Sequence, residues 1–231
     1  MDLKINPKTV FNKLILVILL LLFANILGII SKIYFHHDTV FGLVQAFNFD
    51  TEYNIPTLFS FLELIFSTAL LFIIAKKHRE VGTGYIYWFV LMVIFLFLSF
   101  DEILSIHERL IAPVSELLNT SGMLAFAWVI PYGVLLLVFV VAYSRFLIKL
   151  PRNIAVLLII SGAIYISGAL GFELLGGKYV EQYGNGSIIY AILYTSEESL
   201  EMLGVAAFIY TLLYNITFEF NSFSLTLIKK D

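Results

Sequence analysis

The groups able to do chemistry sit in three short runs: Asp101-Glu102 with His107-Glu108 just after it, Glu173, and Glu197-Glu198 with Glu201. Each lies in or beside a long apolar stretch, where an ionisable side chain is costly and marks a functional position by default. Carboxylates crowded at low dielectric repel one another until protons, water or a cation come between them. Imidazole with carboxylate suits Zn, Mn or non-haem Fe better than Ca or Mg, so the expected cofactor is a divalent ion of the first kind. The candidate ligands are Asp101, Glu102, His107, Glu108, Glu173, Glu197, Glu198 and Glu201; of these, Glu102, His107 and Glu198 are the candidate catalytic groups. There is no His-Glu-x-x-His, no Gly-x-Ser-x-Gly, no Glu-x-x-His and no phosphate-cradling glycine loop.

The elements that must position these residues follow from composition. The 231 residues are 60% hydrophobic and 13% charged, far more apolar than a soluble domain, so a water-soluble enzyme is excluded. With 14 Lys+Arg against 17 Asp+Glu and no long basic run, nucleic acid is not an expected partner. The absence of Cys removes disulfides, thiolate metal sites and Cys nucleophiles. Six apolar stretches, about 14–30, 56–75, 85–104, 124–144, 154–173 and 194–214, are long enough to cross a bilayer as helices. The chain is therefore expected to be an all-α membrane protein, one polytopic domain over 1–231, in the cell (inner) membrane.

Direction comes from the basic residues. With a cytoplasmic N-terminus, Lys4, Lys8, Lys13, Lys76, Lys77, Arg79, Arg145, Lys149, Arg152, Lys229 and Lys230 fall inside, and only Lys32, Arg109 and Lys178 fall outside. Both termini are thus expected inside. Aromatic anchors are expected at Tyr85, Tyr87 and Trp88 on the inner side and at Trp128 and Tyr132 on the outer. Short interfacial helices are expected on the outer face: one over 39–48, capped by Asp38 or Thr39, and an outward continuation of span 3 that Pro113 breaks. In span 5, Ala163, Ser167 and Gly171 form a small-residue stripe suited to close helix packing.

Counting at 1.5 Å per residue puts Asp101, Glu102, Glu197 and Glu198 about 5 Å below the outer surface, and Glu63 and Glu201 about 10 Å below it. Glu173 falls at the boundary, with His107 and Glu108 just above. With Glu63 included, eight acids in this layer face three outer cations. Glu197, Glu198 and Glu201 share one face of span 6 within about 100° of arc, together with Tyr190 and Gly204. His107 points away from Asp101 on simple helical phase, unless the helix ends or turns before it.

The run Ser99-Phe100-Asp101-Glu102-Ile103-Leu104-Ser105-Ile106-His107-Glu108, then Gly171-Phe172-Glu173 and Glu197-Glu198-Ser199-Leu200-Glu201, resembles uncharacterised bacterial multi-pass membrane proteins, some of them labelled permeases. That likeness covers about residues 85–214 and marks the same three acidic stations; it implies no activity. Acids at head-group depth fit metal-dependent hydrolysis of a lipid-borne substrate. The alternatives are a cation- or proton-coupled transporter, and a non-catalytic accessory subunit with partner membrane subunits. Membrane lipid is an expected partner on every reading.

Overall fold

The computed structural model of the chain describes residues 6–220. Among them, six helical spans are long and apolar enough to cross a membrane. These are α1 (Pro7–Tyr34), α3 (Ile55–Val81), α4 (Tyr85–Leu104), α6 (Val129–Lys149), a composite rod, and α9 (Ile188–Phe220), with α2 (Leu43–Ala46) between the first two. The rod joins α7 (Arg152–Ile166), a π-helical segment (Ser167–Phe172) and α8 (Glu173–Tyr183), and α5 (Ile111–Leu118) lies between α4 and α6. No strand occurs among the described residues, in keeping with the all-α membrane class. Lys4, Lys229 and Lys230, which contribute to the charge bias, lie outside the described residues.

The helices run past the apolar cores that mark them. Asn6 caps α1, accepting from Lys8 N at 2.9 Å, and Asn54 caps α3, accepting from Thr57 N at 3.1 Å. Pro7 and Pro56 sit in the first turns, where a missing N–H costs nothing. These polar caps precede the hydrophobic runs, so apolarity alone places the starts too late. At the other end of α3, Gly82 at φ +74° turns the chain and satisfies the last carbonyls.

Two packing clusters hold the bundle. Leu71, Ile74, Trp88, Ile154, Ile209 and Leu212 join α3, α4, α7 and α9. Ile18, Leu21, Phe49, Met202 and Ala206 seat α1 on α9. At the end carrying Lys76, Lys77, Arg79 and Arg152, His78 Nε2 lies 3.3 Å from Glu219 Oε2 and its ring stacks on Trp88 at 5.8 Å. Trp88 is 1% exposed, so it belongs to the core and is no interfacial anchor; Trp128, at 7%, is also buried.

Three local expectations are corrected. The segment 39–48 forms only the single turn Leu43–Ala46, because Val40, Phe41 and Gly42 all take positive φ; neither Asp38 nor Thr39 caps it. Span 3 does not continue to Pro113. It stops at Leu104, where Ser105 takes φ +48°, and Pro113 sits harmlessly in the first turn of α5. The close contact of span 5 is not the stripe Ala163-Ser167-Gly171: Ala163 and Ser167 are exposed and a Cβ on Gly171 would meet nothing within 4 Å, while Gly168, on the helical face of the buried Ser161, lies against α9 instead.

Candidate functional site

Asp101 ends α4 twice over. Its carbonyl accepts from Ile106 N at 3.2 Å, and its Oδ1 accepts from His107 N at 2.8 Å. That reversal swings His107 back over the helix end, so Nδ1 comes 3.4 Å from Asp101 Oδ2. The phase conflict of the continuous helix is thereby removed. The His107 ring lies tilted on Trp128, with centroids 4.9 Å apart. Asp101 is 5% exposed, so this contact is sheltered from water.

Glu108 follows His107 as the first residue of a 3-10 turn (Glu108–Leu110) and is exposed. Glu173 opens α8 directly after the π-helical segment and accepts from Trp128 Nε1 at 2.6 Å. Its carboxyl also meets that of Glu197 in a hydrogen bond. Glu102 on α4 is within electrostatic range of Asp101, Glu198 and Glu201, and Glu198 is in range of Glu108 and Glu173. All eight expected ligands therefore converge on one end of the bundle. Glu63 is not drawn in with them: it lies deeper on α3, 2% exposed, with no hydrogen-bond partner for either oxygen.

Two glycines allow this convergence. A Cβ on Gly168 would meet the Glu197 carbonyl at 2.7 Å and Glu201 N at 3.1 Å; one on Gly204 would meet Tyr165 N at 2.6 Å. Their bare backbones let α7 and its π-helical extension lie directly on α9, which brings Glu173 up to Glu197.

One acid of the layer was missed in the sequence. Glu52 sits in the segment before α3, and its Oε2 accepts from Thr57 Oγ1 at 3.2 Å, folding the carboxylate back over the first turn. A negative group is favoured there by the helix dipole. The segment itself is pinned by Asn25, which is 1% exposed, accepts from Phe49 N at 3.1 Å and donates to Thr195 Oγ1 at 2.9 Å. The motif Asn54-Ile55-Pro56-Thr57, a helix start with a capping Asn, is the signal that could have found Glu52.

With Glu52 included, one ligand atom each from Glu52, His107 and Glu108 lies within 4.8 Å of the others. Three donors each about 2.1 Å from one first-row ion lie roughly 3.4–3.6 Å from one another, so side chains spread towards the 4.8 Å bound must draw in by about an ångström to close on an ion. Burial pushes the Glu52 carboxyl above its ordinary range, and His107 draws it part of the way back. Burial pulls the His107 imidazole down, but the hydrogen bond and charge of Asp101 outweigh it, so its pKa rises overall. Burial likewise raises Asp50, which also hydrogen-bonds Tyr190. His36 and His37 lie exposed on the loop after α1, where His37 N bonds to Ser31 O at 3.1 Å.

No curated protein and no solved structure matches the chain. Residues 14–216 match one family over most of the chain's length, and the protein belongs to it: the family described as Domain of unknown function (DUF8692).

Proposed function

We propose that this protein holds a divalent metal ion at the non-cytoplasmic surface of the membrane and there hydrolyses an ester or phosphoester of a lipid-borne substrate. The observation that carries this reading is the set Glu52, His107 and Glu108, with ligand atoms within 4.8 Å of one another and Asp101 behind the imidazole. With Nδ1 facing Asp101, Nε2 is the atom left to an ion, and the carboxylate behind it holds the ring's orientation. The mixed nitrogen and oxygen set suits Zn, Mn or Fe.

When bound, such an ion polarises a carbonyl or phosphoryl oxygen and makes water more acidic. The chain's own groups do the rest. Glu198 and Glu102, half-buried beside the ligand set, are placed to take the proton of the attacking water and return it to the leaving alcohol. Water adds, the ester bond breaks, and the alcohol departs with the proton. The non-cytoplasmic placement rests on the eleven-to-three bias of basic residues. The test is release of a lipid fragment from phospholipid vesicles by purified protein supplied with Zn, Mn or Fe. Activity abolished by a chelator and by Glu198→Gln supports the reading; none with any ion refutes it.

Ion-coupled transport is a second reading, favoured by Glu63, whose buried and unpartnered carboxyl lies below the layer. Against it, the basic end of the bundle is filled by Leu71, Ile74, Ile209 and Leu212. Proteoliposome flux that depends on Glu63 would favour transport.

A further inference from the structure

A cavity of about 370 Å³ opens between the end of α1 and the segment 38–51, with Tyr194 of α9 as its third side. Its wall includes Lys32, Asp38, Gln45, Thr51, Ile29 and Tyr194. The wall's amides are already engaged. Gln45 Nε2 donates to the Asp38 carbonyl at 2.9 Å, and Asn25 is bound to Thr195 and Phe49. Among the described residues neither Lys32 nor Asp38 forms an ion pair, although Lys32 lies within electrostatic range of Asp50. One cation and one anion thus line a single cavity, and neither is held in a salt bridge.

The location narrows the ligand. Ile29 and Lys32 lie in the last two turns of α1, at the interface end of an apolar rod whose opposite side exposes Ile26, Leu27 and Ile30. On the cavity's own side Ile29 and Val44 supply apolar wall, against which an acyl chain can lie while its head group meets Lys32 and Asp38. The volume is near the lower end of small-molecule sites, enough for a head group and too small for a whole phospholipid. Lysine at such a depth reaches up from an apolar surface to meet phosphate oxygens, as a charge-assisted hydrogen bond. Aspartate in the same wall matches a primary ammonium, which offers N–H donors that a quaternary amine lacks.

We propose that this cavity binds the head group of a zwitterionic phospholipid bearing a primary amine, the phosphate on Lys32 and the amine on Asp38. Thr51 precedes Glu52, and Tyr194 lies one turn before Glu197 and Glu198, so the cavity and the carboxylate layer share two walls. As the identity of the hydrolysed lipid, this rests on the function proposed above; as a binding site it stands on the cavity.

The full chain in detergent is titrated with short-chain phosphatidylethanolamine, phosphatidylglycerol and phosphatidylcholine, with bound lipid counted by native mass spectrometry and metal content measured on the same samples. Phosphatidylethanolamine is expected to bind about tenfold tighter than either of the others. Lys32→Gln should weaken it about tenfold and Lys32→Arg should keep it, while Asp38→Asn should erase the preference over phosphatidylglycerol. Both side chains are exposed, so the variants retain the fold. Water-soluble glycerophosphoethanolamine should compete only weakly; binding as tight as the lipid's would make the ligand a soluble phosphoamine and overturn the lipid assignment. Equal binding of all three lipids, or indifference to Lys32→Gln, would overturn the site. Selective lipid binding by protein that holds no metal would leave the cavity standing and remove the metal reading.

Discussion

Gly204→Ala tests how the carboxylate layer is assembled. Its added methyl would lie 2.6 Å from Tyr165 N and 2.7 Å from Tyr165 Cα and Cβ, against an ordinary carbon contact of about 3.5–4.0 Å. Two of the three obstacles are backbone atoms, so no rotamer change relieves them, and α7 must move off α9 by about 1 Å. Overpacking of this kind costs roughly 1–3 kcal/mol, and a clash with backbone belongs at the upper end. Alanine's advantage in a helix returns roughly 0.5–1 kcal/mol, leaving a net loss of about 2 kcal/mol. For a chain of this size that lowers Tm by about 4–8 °C. Gly133 in α6 supplies the control: a Cβ there meets nothing within 4 Å, so Gly133→Ala should raise stability by about 0.5–1 kcal/mol. The assay is thermal unfolding in detergent, followed by the fluorescence of the buried Trp88 and Trp128. A Gly204→Ala protein that melts with wild type would refute the close crossing and the convergence of Glu173 with Glu197 that depends on it.

The remaining predictions concern the site itself. Asp101→Asn removes the charge that orients His107 and should weaken divalent-ion affinity about 10–100-fold, read by competition with a chromophoric chelator; an unchanged affinity would show that Asp101 plays no orienting part. Trp128→Phe deletes the 2.6 Å donor to Glu173 and leaves that carboxyl short of a partner, a loss of roughly 1–3 kcal/mol that should appear as a lower Tm. In metal-free protein, Asp50, Glu52 and His107 all have raised pKa values in the fold, from ordinary values of 3.8, 4.5 and 6.5, so the native state binds more protons than the unfolded chain. Their effect is therefore most favourable at low pH and is lost as pH climbs from about 4 through the raised imidazole value. Melting of the chelated protein should fall across that window, and metal should reverse the fall at the alkaline end; a metal-free Tm that rises with pH instead would contradict these shifts.

The six spans were legible because crossing a bilayer demands about twenty apolar residues, a signal that needs no partner. The acidic layer was legible for a related reason, since charge inside such a run can be placed by counting. What escaped depends on single backbone turns. Ser105 at φ +48° carries no glycine to announce it, yet it alone converts His107 from a residue on the wrong face into the partner of Asp101. A stripe of small residues picks out Ala163, Ser167 and Gly171, yet the side of span 5 that meets α9 runs through Ser161 and Tyr165 to Gly168, a choice of face that only the packing partner decides. Glu52 sits in a polar connection that carries no apolar signal, and the partners that fix it, such as Asn25 on α1 and Leu104 at the end of α4, are distant in sequence. Trp88 reads as an anchor by its position near a helix end; its stacking on His78, a tertiary fact, makes it core.

The proposed metal centre requires that Glu52, His107 and Glu108 together hold a divalent ion. Elemental analysis of the detergent-purified chain tests it most directly, run on wild type, on Glu52→Gln and on His107→Ala, each before and after chelation and re-addition of Zn, Mn or Fe. Wild type is expected to carry a stoichiometric ion that chelation strips and re-addition restores, with little retained by either variant. Wild type that takes up no ion at saturating metal, or variants that hold it as fully as wild type, would contradict the claim.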